Sequence, residues 1–520
     1  MWWMEDIQPG KHMIFMGIDI GTTHCKIGAY GKDGVLISEN KFVTPVRKAS
    51  NGWAKYDMEE LWNRLEECIM VTANGYADSV AAIGVSSQGE SCVLTDQNFK
   101  PLTAGIPWYD IRTDKYVDWW KNRINADQIY RITGLELQSI YTVMKLQWLK
   151  EHEKEAYDKA CCFHCMSDYI AGRMTGRHGI SYSMASRTMA LDLKKADWSD
   201  EILRIADIRK SIFPELIAQN QSLGYLRKDL IKKWGFGEKC SVSIAGFDHM
   251  AGCLGVGAVS EDQVVASIGT TESVCLTEQN LQAMGDVYYG YLWGYHVFEN
   301  RYYSIGGIPS GGQTIDWAVK TLLGKELTDS GYKEFEEISK SAPVLSHGVL
   351  FLPHLSGCCV PVMDNHSKGA FYGLSKETST GDMARAVIEG MCMEFRLVLE
   401  QSKKKKIKEI IAIGGGIRNE FWMQCKADVL GIAIRVKAQK DAVTLGDAII
   451  AARNANIIDS LNNSVDGKNK DKYYIPNQRN HEKYEAVYQQ LYKKLYVNQK
   501  EVNDKMRLII EEGGQNNGTC

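Results

Sequence analysis

The tetrapeptide Ile-Gly-Thr-Thr occurs twice, at 20–23 and at 268–271, each time in the same setting. The first copy closes an apolar run from Met13, interrupted by Gly17 and Asp19, and is followed by a second strand-like stretch, Lys26 to Tyr30. The second copy closes the run Val264 to Ile268 and leads into Ser273 to Leu276. A strand–turn–strand unit recurring near the start of each half marks an internal duplication. The chain is therefore expected to fold as two related α/β domains, each offering a glycine-threonine hairpin to one central cleft.

Strands and helices alternate around these units. Gly31-Lys-Asp-Gly34 signals a turn and Val35 to Ser38 a third strand. Met58 to Asn74 has helical spacing, with Leu61, Leu65 and Cys68 on one face, while Val80 to Ser86 and Ser241 to Ala245 read as buried strands. Asp382 to Leu399 reads as a long helix before the strand Ile410 to Ile413, and Glu482 to Tyr496 as a closing helix. Small residues and charges over Val256 to Asp262 place the boundary between a first domain, 13–256, and a second, 257–497. Residues 498–520 read as a flexible tail.

A length of 520 residues is too great for one compact core, in keeping with two domains. The formal charge of -3 supplies no global field to draw nucleic acid or an anionic membrane. The single basic run, Lys403 to Lys406, reads as a solvated helix end or loop. Fourteen cysteines are too sparse for a disulfide scaffold, and no stretch has the ~18 apolar residues needed to span a bilayer. With no signal-like apolar segment at the N-terminus, the chain is expected to be cytoplasmic and reduced. Cys161, Cys162, His164 and Cys165 hint at a metal, but no second ligand pair follows, so they read as buried thiols on a strand.

The hairpins suit phosphate for a direct reason. Glycine lets the backbone bring its N–H groups to an oxyanion, and threonine adds hydroxyl donors. Asp19, just before the first turn, can hold magnesium through water, and Lys26 on the returning strand can reach the same charge. Asp248 ends the run Ser241-Val-Ser-Ile-Ala-Gly-Phe-Asp248 and precedes a glycine- and alanine-rich helix, Met250 to Gly257. An acid just past the C-terminal end of a buried strand sits where open α/β sheets bind ligands. The same position suits a helix N-cap, and position alone does not separate the two roles. Gly414-Gly-Gly416-Ile-Arg-Asn419 follows the strand Ile410 to Ile413 and precedes a helical segment, Glu420 to Leu430, a setting that lets an adenosine lie flat on the backbone. No Gly-x-x-x-x-Gly-Lys-Ser/Thr loop is present.

In combination these segments resemble the FGGY carbohydrate kinases, from about Ile14 to about Tyr496. Gly17 to Thr23 is similar to that family's first phosphate motif and Ser267 to Thr271 to its second. Trp108-Tyr-Asp110-Ile-Arg112 resembles its W-x-D-x-R substrate segment, and Lys145-Leu-Gln-Trp148 its K-x-x-W helix. Gly369-Ala-Phe-Tyr-Gly373-Leu374, with Asp382 to Glu389, resembles the segment that defines the family. The resemblance implies two ribonuclease H-like domains of the actin-like ATPase type, with a central interdomain cleft. It implies ATP-dependent phosphorylation of a hydroxyl of a small sugar, a pentulose-like ketose or a polyol, with Mg2+.

The same resemblance implies roles for residues. Asp248 would be the general base and would also face the sugar, beside Gln88, Gly89, Trp108 and Asp110. Asp19 (also the metal residue), Gly21, Thr22, Thr23, Lys26, Gly269, Thr270, Gly312 and Asp316 would face the ATP phosphates. Gly415 and Asn419 would hold adenosine. The partner would be a small molecule, not nucleic acid or membrane, and a homodimer is the assembly to test.

Departures from the family pattern leave the sugar open. Glycerol kinases carry an arginine–glutamate pair where this chain has Gly89-Glu90, and xylulose kinases favour methionine–histidine there. His249 after Asp248 is not the xylulose kinase pattern, and Gly357-Cys358-Cys359-Val-Pro361 stands where many relatives have Gly-Glu-Arg before proline. A chaperone-like or actin-like ATPase and a catalytically silent sensor share the same fold. Little chain remains after Tyr496 for a peptide-binding domain, and a sensor would be expected to lack Asp19 or Asp248.

Overall fold

The computed structural model describes residues 13–282, 284, 290–298, 300–402, 406–438, 441–458 and 471–516. Lys403 to Lys405 of the basic run lie outside the described residues, as do the last four residues of the expected tail. The duplication is written in the sheets. In the first, Leu36–Val43, His24–Gly31, Ile14–Ile20, Val80–Ser87, Ser241–Phe247 and Gly224–Tyr225 lie side by side. In the second, Tyr302–Ile308, Glu272–Glu278, Gln263–Ile268, Glu409–Ile413, Ile434–Val436 and Lys472–Tyr474 take the same places, with Tyr291–Tyr295 added at one edge.

Directions match as well: three antiparallel strands, two parallel additions and an antiparallel edge in each sheet. Strands in the middle of each sheet are apolar on both faces because helices cover both, which is why they read as continuous hydrophobic runs. Helices occupy the intervals as expected, at Met58–Thr72, Thr380–Gln401 and Glu420–Leu430.

One helix joins the halves. Ala442–Asn454 comes late in the chain yet crosses the first sheet so closely that a Cβ on Gly17 would stand 1.8 Å from the Thr444 carbonyl oxygen, and one on Gly84 2.0 Å from that of Asp447. Glycine in a strand marks such close approach of another backbone. The same helix meets Asp248–Gly255, where a Cβ on Gly446 would stand 1.9 Å from the Ala251 oxygen. Hence the first sheet, the helix Asp248–Gly255 and this late helix share one packed layer.

The closing helix begins earlier than its periodicity suggested, at Gln478, and passes through a π-turn at Tyr488–Tyr492. It continues as Lys493–Asn516, so the residues read as a tail are helical from Asn498 to Asn516. Lys500–Asp504 and Lys505–Glu501 pairs support that extension, and Gln499 bonds Tyr372 and the Lys368 carbonyl. Among the described residues, no helix is long and apolar enough to cross a membrane.

Candidate active site

The strand–turn–strand of the first hairpin fixes its charged side chains. Asp19 and Lys26 face each other across the antiparallel pair. Lys26 Nζ lies 2.9 Å from Asp441 Oδ2 and 3.9 Å from Asp19 Oδ2. Asp441 caps the helix Ala442–Asn454, and one turn further Asp447 accepts a 2.8 Å bond from the Ser86 hydroxyl. Among the described residues, one buried oxygen on Asp19 and one on Asp447 find no hydrogen-bond partner. The turn itself is shaped by Thr44, whose hydroxyl donates to the Gly21 carbonyl at 2.8 Å and whose N–H donates to that of Thr23 at 3.0 Å. Trp108 Nε1 donates to the Thr22 hydroxyl at 3.0 Å, linking the expected sugar side to the expected phosphate side.

Asp248 is the first residue of its helix, with Phe247 in the cap position. Its Oδ1 accepts from the His249 N–H at 2.7 Å, leaving the other oxygen without a backbone claim. Half-buried, the Asp248 carboxyl is pushed up to about 7, first by burial and further by Glu90, against the His249 amide, Lys26 and Arg187. Burial also holds Asp19 well above the usual carboxylate range, opposed by Lys26 and reinforced by Asp248 and Asp441. Asp447 is raised by burial and by Asp19. Four carboxylates thus act on one another around a single lysine, which leaves an excess of negative charge with unpartnered oxygens. Such a set fits a hard divalent cation.

Beside Asp248 lies a buried ion pair that the sequence reading did not contain. Arg187 donates to Glu90 Oε1 through Nε at 2.7 Å and through Nη2, and its guanidinium stacks on Phe247 at 4.9 Å. Glu90 holds a left-handed backbone conformation, φ 63°, and a Cβ on Gly89 would stand 3.2 Å from Arg187 Cγ. So the loop lacks an arginine in sequence, but one arrives in space from a segment 97 residues away. Arg187 lies in the turn after the short helix Tyr182–Ala185, and no periodicity singles it out. Gln88 donates to the Tyr56 hydroxyl at 3.1 Å and keeps a buried carbonyl oxygen without a partner among the described residues.

Asp110 is engaged within the fold. Its carboxylate is fully buried and accepts from Arg112 Nε at 2.6 Å, from Arg112 Nη2 at 3.0 Å and from the Ala54 N–H at 2.5 Å. These donors hold it below its ordinary range against burial.

The second hairpin meets the start of the helix Gly312–Thr321. The Gly312 N–H donates to the Gly269 carbonyl at 2.8 Å and that of Gln313 to Thr270 at 3.0 Å. A Cβ on Gly312 would lie 2.7 Å from the Gly269 oxygen, so glycine is needed for this contact. Beneath the hairpin Lys426 and Glu272 form a wholly buried pair, 2.7 Å apart. Asp316, one turn into the helix, accepts from the Tyr332 hydroxyl at 2.7 Å. Gly414, with φ 94°, packs on Ile268, whereas a Cβ on Gly415 would meet nothing within 4 Å. Asn419 caps the following helix by accepting from the Trp422 N–H at 2.8 Å.

The structure therefore brings Asp19, Lys26, Asp248, Gln88, Gly89 and the first hairpin together, and leaves Gly415 facing open space. Asp110, Asp316 and Asn419 are engaged in bonds internal to the fold.

Comparison with known proteins gives a consistent picture. Residues 14–255 match the model of the N-terminal domain of the FGGY family of carbohydrate kinases, and 264–455 that of its C-terminal domain. A xylulose kinase of Lactococcus lactis is 28% identical over 508 residues, covering 96% of this chain and 99% of the relative. Among solved structures, a gluconate kinase from Lactobacillus acidophilus superposes with a TM-score of 0.87 at 26% identity, covering 95% of this chain and 100% of that one. A ligand-bound xylulose kinase from the same species gives 0.86 at 26%, covering 95% and 99%.

Proposed function

The chain belongs to the FGGY family of carbohydrate kinases, and from that premise we propose that Asp248 is the base that delivers a neutral, pentulose-like ketose to ATP. The reaction is transfer of the terminal phosphoryl of ATP to a hydroxyl of a small sugar. Asp248 lies at the end of a buried strand, where its second oxygen can take the hydroxyl proton as the new O–P bond forms. A loose transition state asks little of this base beyond position, so a carboxyl near 7 is well matched to neutral pH. Backbone N–H groups of Gly21 to Thr23 and of Gly269 and Thr270 would grip the phosphates, with Lys26 placed to share their charge.

Asp19 and Asp447, with their unpartnered buried oxygens, would hold Mg2+ through water. When bound there the ion would neutralise phosphate charge. The cluster's excess of carboxylates over lysine is what supports this assignment.

The single observation that carries the acceptor class is the Arg187–Glu90 pair. A sugar acid needs an unneutralised cation beside the base, and Arg187 is already matched by Glu90. The paired groups and the free Gln88 carbonyl instead offer hydrogen bonds to hydroxyls. The xylulose kinases among the relatives agree with a 2-keto pentose. A coupled ADP-release assay over D-xylulose, L-xylulose, D-ribulose, glycerol and D-gluconate, with and without magnesium, tests it. A pentulose should exceed gluconate by at least ~100-fold in kcat/KM, the scale of an unpaired buried charge. Preference for gluconate would overturn the reading.

A cytoplasmic location belongs to the same proposal, because the thirteen described cysteines are all free, as in reducing compartments. So does a homodimer, for which the exposed apolar side chains Val502, Met506 and Ile509 on the last helix offer a face; light scattering tests it.

A further inference from the structure

The Gly357-Cys358-Cys359 segment departs from the family pattern, and the structure shows what surrounds it. His354 and Cys358 follow the strand Leu350–Leu352, and Glu394 projects from the helix Thr380–Gln401. One ligand atom from each, an imidazole nitrogen, a thiol sulfur and a carboxylate oxygen, lies within 4.8 Å of the other two. All three residues are at most 3% exposed. Glu394 Oε1 is 3.2 Å from His354 Nε2 and 3.8 Å from Cys358 Sγ.

We propose that His354, Cys358 and Glu394 form a structural site for a divalent transition-metal ion, zinc by its ligand chemistry, separate from the phosphate cluster. The outer atoms are braced as metal ligands usually are. His354 Nδ1 bonds the Ser367 hydroxyl at 2.7 Å, and Glu394 Oε2 accepts from the Tyr492 hydroxyl at 3.0 Å. Charge gives a second, independent reason. Among the described residues the bonding partners of the buried Glu394 carboxylate are His354, Cys358 and Tyr492, with no lysine or arginine. A thiolate, a carboxylate and a neutral imidazole around a doubly charged ion sum to zero, which suits a dry interior. On binding, the Cys358 S–H proton leaves to solvent, and a water completes the fourth position.

The site would also reach the nucleotide side. Ser310 donates to the Pro353 carbonyl, and Gln313, whose N–H holds Thr270, donates from its side chain to the Ser356 hydroxyl at 3.2 Å. An ion joining this segment to the long helix would brace the second hairpin from below.

A different cluster, Cys162, His164 and His178, serves as the control. There a nitrogen of each imidazole lies 3.1 Å from the other, His178 is half-exposed, and the ligand set found among the described residues holds no carboxylate. Cys161, next to it, is exposed, unlike the buried thiol its strand setting suggested.

The test is metal analysis of the full chain, purified in reductant, reconstituted with Zn2+ in excess Mg2+ and gel-filtered. Wild type and His178→Ala should each retain about one zinc per chain, while Cys358→Ser and Glu394→Gln should retain little. Metal-loaded wild type should unfold at higher temperature than its chelated form. Cobalt-loaded His178→Ala should show the same thiolate-to-metal charge-transfer band as wild type, which separates this site from the other cysteine cluster even if the Cys358 and Glu394 variants fail to fold. Absence of that band, no retained zinc in wild type, retention by Cys358→Ser, or loss in His178→Ala would each overturn the proposal.

Discussion

Lys26 Nζ lies 2.9 Å from Asp441 Oδ2, so a lysine of the first hairpin is held by the cap of a helix drawn from the far end of the chain. Asp441 accepts from the Val443 and Thr444 N–H groups at 3.1 Å through its other oxygen. It cannot turn away without uncapping that helix, which fixes where the lysine's charge sits. With Lys26 in its proposed role, the pair would tie phosphate binding to the packing between the halves.

Replacing Lys26 with methionine removes the cation facing Asp19 and Asp441. ATP affinity should fall by ~10-fold or more, the scale of one charged hydrogen bond, while sugar affinity changes little. Calorimetric titration with a non-hydrolysable ATP analogue and separately with sugar measures both.

The pH dependence of turnover should carry an acidic limb near 7, because Asp248 must be unprotonated to act and its carboxyl is raised to about 7. His249 cannot produce that limb, since burial and Arg187 push it down to about 4. The limb should therefore persist in His249→Asn. Stability has the opposite sign. A carboxyl raised in the folded state contributes stability below its unfolded value that is lost as pH rises through the folded one. The unfolding free energy of Asp248→Asn minus that of wild type should grow between about pH 4 and pH 7 and level off above.

Gly415 and its neighbour Gly414 separate binding from folding. A Cβ on Gly415 meets nothing within 4 Å, so in Gly415→Phe the melting temperature should hold while the KM for ATP rises and that for sugar does not. Gly414→Ala places a Cβ 2.4 Å from the Ile268 carbonyl at φ 94°, and should cost ~1–3 kcal/mol of stability by denaturant titration.

Arg187→Met leaves Glu90 buried without its partner, a loss of ~3–5 kcal/mol. Adding Glu90→Gln should restore much of that stability but not the kcat/KM for sugar. Recovery of both by the double variant would confine the pair to a structural role.

Both hairpins and the strand ending at Asp248 were legible because they are local: apolar runs, glycine turns and a following helix all lie within a few residues of one another. The helix Ala442–Asn454 was not, since its burial against Gly17 and Gly84 depends on backbone contacts that no periodicity encodes. Arg187 stayed hidden for the same reason, being joined to Glu90 only by the fold. Conversely, Asp110 and Asn419 entered through the family resemblance, and their contacts in the fold, with Arg112 and the Trp422 amide, are ones the sequence does not display. A side chain's partners, unlike its identity, are set by chain paths that meet far apart in sequence.

The most direct test is single-turnover phosphorylation by Asp248→Asn, with ATP binding measured on the same preparation. Phosphoryl transfer should fall by at least ~100-fold while ATP affinity stays close to wild type. Transfer within a few-fold of wild type would show that another group takes the proton, and would contradict the account.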